Sequence, residues 1–198
     1  MKNCDIVIAG LGGQGVMTIA QVLALGGLRQ GWRVKIFEGT GMTQRGGGVF
    51  SFVRFGEAFS PKIPLGQADV LISLEPSEIL NVIQYLKPQG AVWMESERIH
   101  GYYSKLSPHL YPSEEKLKAL IRVRTNQRFV VPARELARQS GSPQAANMVM
   151  LGAFLAHSEL LRADSIVQAI EEVNKKFAPS NLEAFWKGYG FMKREKAA

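Results

Sequence analysis

The stretch Cys4-Asp5-Ile6-Val7-Ile8-Ala9-Gly10-Leu11-Gly12-Gly13-Gln14-Gly15-Val16 decides the fold. Cys4 to Ala9 is a short apolar run closed by glycine, the pattern of a strand buried on both faces. Beyond the glycines, Val16, Ile19, Ala20, Leu23 and Ala24 recur at helical spacing up to Arg29, and Gly31 closes the helix. Arg33 to Phe37 then returns as a strand. Strand, glycine turn, helix and strand in that order open a doubly wound, mostly parallel α/β sheet of Rossmann-like type. Its crossover is expected to be right-handed.

Working outward, Val49 to Phe55, Asp69 to Leu74 and Ala91 to Glu95 read as further strands, and Phe129 to Val131 as a short one. Pro76 suits a first helical turn, so a helix is expected from there to about Leu86. Residues 99–112 show no regular pattern. Ser113, Glu114 and Glu115 begin a short helix. Ser142 and Pro143 read as the N-cap and first position of an apolar helix reaching about Leu161. Asp164 reads as the cap of another helix to about Phe177, and residues 181–193 as a helical tail with Phe185, Trp186, Tyr189 and Phe191. The C-terminal helices from about residue 142 are expected to pack on the sheet or on a partner subunit. No repeat or linker interrupts the chain, so one domain over 1–198 is expected.

Composition narrows the function. Hydrophobic residues make up 46% of 198, enough for a sizeable core, and 24 Lys+Arg against 17 Asp+Glu leave a net charge of +7. No apolar run approaches the roughly 18 residues that span a bilayer, and the chain enters its first strand without a leader's apolar segment. A soluble, cytoplasmic protein without a membrane role is expected. One cysteine, Cys4, excludes an internal disulfide and any zinc or iron–sulfur site built from this chain's thiolates alone. Lys116, Lys118, Arg122, Arg124, Arg128, Arg134 and Arg138 form a loose basic stretch with only Phe129 interleaved. That pattern reads as a solvated face or a docking surface for an acidic partner rather than a nucleic-acid site. His100, His109 and His157 are scattered, and neither a metal set nor a nucleophile–base arrangement emerges, so no catalytic or metal residue is assigned. Glu75 and Glu78 flank Pro76, where they complement a helix dipole.

Two glycine loops carry the chemistry. Gly10, Gly12 and Gly15 satisfy G-x-G-x-x-G between strand and helix, where a helix N-terminus offers free N–H groups to a phosphate. Glu38 ends the second strand, 28 positions after Gly10, where a dinucleotide fold holds the ribose of NAD or FAD. Gly13 and the polar Gln14 are unusual for such a loop, and a turn that merely packs helix on strand is the other reading. The second loop holds Thr40, Gly41, Met42, Gln44, Arg45, Gly46 and Gly47. It too follows a strand, and a guanidinium beside glycines can meet a phosphate or carboxylate bidentately. Side by side, the loops would make one crevice for an anionic ligand.

Several ordered blocks then resemble a known family. They are Gly10-Leu11-Gly12-Gly13-Gln14-Gly15, Gly41-Met42-Thr43-Gln44-Arg45-Gly46-Gly47, Pro61-Lys62-Ile63-Pro64, and Ala68-Asp69-Val70-Leu71-Ile72-Ser73-Leu74-Glu75-Pro76. Asn147-Met148-Val149-Met150-Leu151-Gly152 and Asn181-Leu182-Glu183-Ala184-Phe185 extend the likeness over nearly the whole chain. Together they resemble the gamma-type subunits of 2-oxoacid:ferredoxin oxidoreductases. Within that family the chain is most similar to the small (beta) subunits of indolepyruvate ferredoxin oxidoreductases. Met42-Thr43-Gln44-Arg45 favours this aryl branch, since pyruvate-type relatives tend to carry proline and glutamate before the arginine. Thr43 and Gly48 stand where alanine and serine are usual.

The resemblance implies a division of labour. A large partner subunit holds thiamine diphosphate, which decarboxylates the 2-oxo acid, and iron–sulfur clusters that pass electrons to ferredoxin. Coenzyme A takes the acyl group. This chain helps bind coenzyme A and close the site, with Gly10 to Gly15 on phosphate, Arg45 on an anionic oxygen, and Gln14 and Gln44 as hydrogen-bonding walls. Alone it is expected to be inactive, and a homodimer is one state open to the isolated chain. The self-sufficient Rossmann module with Glu38 on a nicotinamide or flavin ribose is the competing expectation.

Overall fold

The computed structural model describes residues 3–39, 48–99 and 111–197. Among them six strands form one sheet: β1 (Cys4–Leu11), β2 (Val34–Gly39), β3 (Gly48–Phe55), β4 (Ala68–Ser73), β5 (Leu86–Glu95) and β6 (Arg128–Val131). Their spatial order is β2-β3-β1-β4-β5-β6. The half from β1 to β6 is parallel throughout, whereas β3 runs antiparallel to both β1 and β2. The opening strand–helix–strand unit therefore exists as read, through α1 (Val16–Arg29), but β3 occupies the place beside β1.

Alternation along the strands supplies two apolar faces, as the two-residue period requires. Ile6, Ile8, Val53, Phe55, Ile72 and Trp93 face one way. Over them pack α1, α4 (Ala133–Gln139), α5 (Ala146–Ser158), α6 (Ala163–Val173) and α7 (Ala178–Ala197). Val7, Ala9, Phe52, Leu71, Val92 and Met94 face the other way, beneath α2 (Ile79–Val82) and α3 (Glu114–Arg124). Helix α5 is buried continuously from Asn147 to Ala156, because it lies between the sheet and α7. Its approach to α7 needs two residues without side chains. A Cβ on Gly152 would stand 2.0 Å from the Phe185 carbonyl oxygen, and one on Gly188 would stand 1.9 Å from that of Val149.

The helix expected from Pro76 to Leu86 is broken. A 3₁₀ turn over Pro76–Glu78, four α-helical residues and a second 3₁₀ turn over Ile83–Tyr85 replace it, and β5 begins at Leu86. Pairing of Leu86 with Ala68 and burial of Val82, Ile83 and Leu86 against the second face outweigh helical propensity in so short a segment. Asp164 lies inside the first turn of α6, whose cap position is Arg162. Ser142 opens a 3₁₀ turn without bonding its side chain to it, and α5 stops at Ser158 because Glu159 takes a left-handed φ of 53°.

At the N-terminal edge of the sheet, Arg54 grips Asp5 bidentately, Nε to Oδ1 at 2.9 Å and Nη2 to Oδ2 at 2.8 Å. Asp69 accepts the Asp5 N–H at 2.8 Å and pairs with Lys87. Burial, with the Asp69 and Asp5 charges, pushes the Cys4 thiol up to about 12, so it stays protonated. No helix among the described residues is long and apolar enough to cross a membrane.

Candidate functional site

The glycine turn is a tightly closed structure. The Gln14 N–H donates to the Leu11 carbonyl at 3.1 Å, and Gln14 Oε1 accepts the Leu11 N–H at 2.9 Å. The side-chain carbonyl is thus spent on its own turn. A Cβ on Gly10 would stand 2.7 Å from that Oε1 and 3.1 Å from Leu74 Cβ, so glycine is required for this closure. Gly15 sits at φ 82°, and a Cβ there would meet Asn147 Nδ2 at 2.1 Å. From this point α1 begins, its first helical bond running from the Ile19 N–H to the Gly15 carbonyl at 3.1 Å. No side chain caps the start of α1 and no acid occupies its first turn. Its leading N–H groups and positive dipole end are open to an anion, at the strand C-termini where open α/β sheets take ligands.

The crevice beside this turn has an uncharged and a charged wall. A cavity of about 100 Å³ is bounded by Gly13, Gln14, Gln144, Asn147, Glu95 and Arg134. Asn147, on the first turn of α5, is buried and donates from Nδ2 to the Gly15 carbonyl at 3.4 Å. Glu95 ends β5 and is 2% exposed. It accepts the Glu97 N–H at 3.0 Å, the Ser96 hydroxyl at 3.2 Å and the Arg134 N–H at 3.0 Å. Burial raises its carboxyl above the ordinary carboxylate range, against the pull of those bonds and of Arg134. The Arg134 Nε lies 4.0 Å from Glu95 Oε2, beyond hydrogen-bond reach, and is buried without a hydrogen-bond partner.

Two further carboxylates stand at this edge. Glu75 is fully buried and accepts the Ile99 N–H at 2.8 Å, the Ser77 N–H and hydroxyl at 3.4 Å, and the Tyr111 hydroxyl. Complementing a helix dipole, the role expected from sequence, is thus the smaller part of its work; the larger is to tie the Ile99 backbone and the Tyr111 side chain to the end of β4. Glu78 packs against Gly48, where a Cβ would meet its Oε2 at 2.1 Å, and accepts from Asn81 at 2.9 Å. Burial raises its carboxyl too. Sequence spacing gives no sign of Glu95 at the site, because it reaches the crevice through the end of β5 and long-range pairing.

Gly10, Gly12, Gly13, Gln14 and Gly15 lie together on the segment that joins β1 to α1. Thr40, Gly41, Met42, Gln44, Arg45, Gly46 and Gly47 lie outside the described residues, as do His100 and His109. Gly48, just after that loop, pairs with Leu11 at the rim of the glycine turn. Glu38 is not at the turn. It is exposed on edge strand β2, opposite Ser51, and β3 separates it from β1. At about 4.8 Å per strand it stands roughly 10 Å to the side, whereas the dinucleotide fold puts its second strand directly beside the first. His157 packs among aromatic rings. Its ring lies 4.4 Å from Phe129 and 5.4 Å from Trp93, and burial with the nearby Lys196 lowers its pKa.

This sheet, with an antiparallel strand beside β1 and helices α5 and α7 closed over one face, has relatives. The Pyruvate ferredoxin/flavodoxin oxidoreductase family matches residues 5–191. The chain belongs to this family. It is 35% identical over 189 residues to Indolepyruvate oxidoreductase subunit IorB of Pyrococcus horikoshii, covering 93% of this chain and 94% of that one. In fold it is similar to the gamma subunit of a keto/oxoacid ferredoxin oxidoreductase from Geobacter sulfurreducens, with a TM-score of 0.70 and 23% identity over 96% of this chain and 99% of that one. It also matches part of 2-oxoglutarate:ferredoxin oxidoreductase from Magnetococcus marinus, solved with 2-oxoglutarate, coenzyme A and succinyl-CoA bound. There the TM-score is 0.74 at 21% identity, over 98% of this chain and 32% of that one. The family match and the likeness to IorB make this a small-subunit chain of the 2-oxoacid:ferredoxin oxidoreductases.

Proposed function

We propose that the chain works in a cytoplasmic complex that oxidatively decarboxylates an aryl pyruvate, of which indolepyruvate is the model substrate, to an acyl-CoA. Its own part is to bind coenzyme A and close the site over it. The observation that carries this reading is the uncapped N-terminus of α1 behind the glycine turn, free of acidic side chains in its first turn. That end offers N–H groups and a partial positive charge to a phosphate of coenzyme A. Arg45 and Gln44, on the loop between β2 and β3, would take a second anionic oxygen and a polar group. The similarity to indolepyruvate oxidoreductase small subunits supports the aryl substrate.

Thiamine diphosphate and the iron–sulfur clusters fall to the large partner, which passes electrons to ferredoxin. This chain's donor set does not fit a cluster: its one thiol, Cys4, sits at the far edge of the sheet and stays protonated. The self-sufficient NAD or FAD module loses its main support with Glu38 one strand removed from the turn.

The test is calorimetric titration of coenzyme A, and separately NADH, into the isolated chain and the reconstituted complex, with ferredoxin reduction as the activity. Coenzyme A binding to the complex that weakens in Arg45→Ala, and turnover of indolepyruvate only with both subunits, are expected. NADH binding to the isolated chain, or turnover by it alone, would overturn the reading.

A further inference from the structure

Among the described residues the sheet ends at β6. The carbonyls of Gln127 and Val131 accept N–H groups of Val92 and Ser96, at 2.8 and 3.1 Å. Strand residues alternate the side to which their polar groups point, so Arg128 and Val130 turn theirs away from β5. The Arg128 N–H is taken by the Asn126 carbonyl at 3.1 Å, which leaves the Arg128 carbonyl and both groups of Val130 facing outward. The Val130 side chain is 39% exposed.

This edge lies between two hollows. On the α3 side is a groove of about 460 Å³, with Ile121 and Thr125 as its floor and Lys118, Arg122 and Arg128 around it. On the other side is a hollow of about 300 Å³ with apolar walls at Phe129, Phe191 and Met192, also lined by His157, Glu195 and Lys196. The first groove is strongly positive. Glu114 pairs with Lys118 and lies 3.9 Å from Arg98, and among the described residues neither Arg122 nor Arg128 has an ion pair.

We propose that β6 and its two flanking hollows form a docking site for an extended, acidic segment of a protein partner, which adds to the sheet as a further strand. Outward-facing main-chain groups supply pairing, and the cationic groove selects acidic side chains on alternate residues of the incoming strand. The Phe129, Phe191 and Met192 walls of the second hollow receive the residues in between. The site is three strands from β1, so occupying it leaves the glycine turn open.

The experiment uses the full ¹⁵N-labelled chain and two synthetic ten-residue peptides, one alternating Glu and Val and the other Lys and Val. The Glu/Val peptide is expected to shift the signals of Arg128 to Val131 and slow amide exchange at Val130, with no such effect from the Lys/Val peptide. Arg122→Glu with Arg128→Glu should weaken binding at least ten-fold. Val130→Pro, which removes one outward donor at an edge position and keeps every cation, should weaken Glu/Val peptide binding at least ten-fold while circular dichroism stays unchanged. Undiminished binding to Val130→Pro would reduce the site to a polyanion surface and overturn the proposal. So would equal binding of both peptides, or perturbation confined to other residues.

Discussion

Asn147, on the first turn of α5, donates from Nδ2 to the carbonyl oxygen of Gly15, a residue 132 positions earlier in the chain. The same amide nitrogen stands 2.1 Å from where a Gly15 Cβ would be. The glycine turn and the C-terminal helical layer are therefore built to one another, and the turn cannot be changed without moving α5.

Gly15→Ala and Gly13→Ala separate conformation from contact. Both residues have positive φ, 82° and 87°, so each alanine costs about 1–2 kcal/mol of backbone strain. A Cβ at Gly13 meets nothing within 4 Å, whereas one at Gly15 enters the Asn147 amide. Chemical denaturation should show Gly15→Ala to be the more damaging by a further 1–3 kcal/mol, about the cost of overpacking. Equal losses would mean that Asn147 moves aside freely.

Adding an acid where α1 lacks one sets stability against binding. Met17, 43% exposed in the first turn, changed to Glu should stabilise the isolated fold by about 0.3–1 kcal/mol through the helix dipole. In the complex the same substitution should raise KM for coenzyme A several-fold, because the carboxylate competes with phosphate for the same N–H groups. An unchanged KM would remove phosphate from that terminus.

Glu75→Ala takes the acceptor from the half-buried Ile99 N–H and from the Tyr111 hydroxyl. A loss of about 1–3 kcal/mol is expected in urea unfolding, with a smaller loss in Glu75→Gln, which keeps one carbonyl oxygen. Exposed Glu57, whose pair with Arg33 is open to water, is the control, and Glu57→Ala should change stability by less than about 1 kcal/mol.

His157 predicts a pH dependence. Its pKa in the fold lies below the ordinary value, so the unfolded chain binds the proton more readily. Stability from this group is complete above about pH 6.5, the unfolded value, and falls as pH drops from there through the folded pKa. Unfolding free energies of the protein and of His157→Phe, measured from pH 8 to 5, should diverge in slope below about pH 6.5. Parallel curves would show that the ring titrates alike in both states.

Much of the architecture was legible in local pattern. The run Cys4–Ala9, the glycines and the helical spacing from Val16 to Arg29 report β1, its turn and α1 directly, because each is fixed by residues within a few positions. The glycines of the candidate site were legible for the same reason, as was the apolar character of α5. The short helix expected after Pro76 was not, since its length is decided by where β5 must start in order to pair with β4.

The sequence by itself determined the class of sheet, the glycine turn, and the absence of a second thiolate with which to build a cluster. Only the tertiary structure decided that β3 inserts beside β1 and carries Glu38 away from the turn. It also brought Glu95, Arg134 and Asn147 to the crevice. The physical reason is range. Turn and helix signals act through neighbouring backbone geometry, whereas strand order and crevice walls are set by which faces can be buried together across the whole chain, and spacing along the sequence carries no record of that choice.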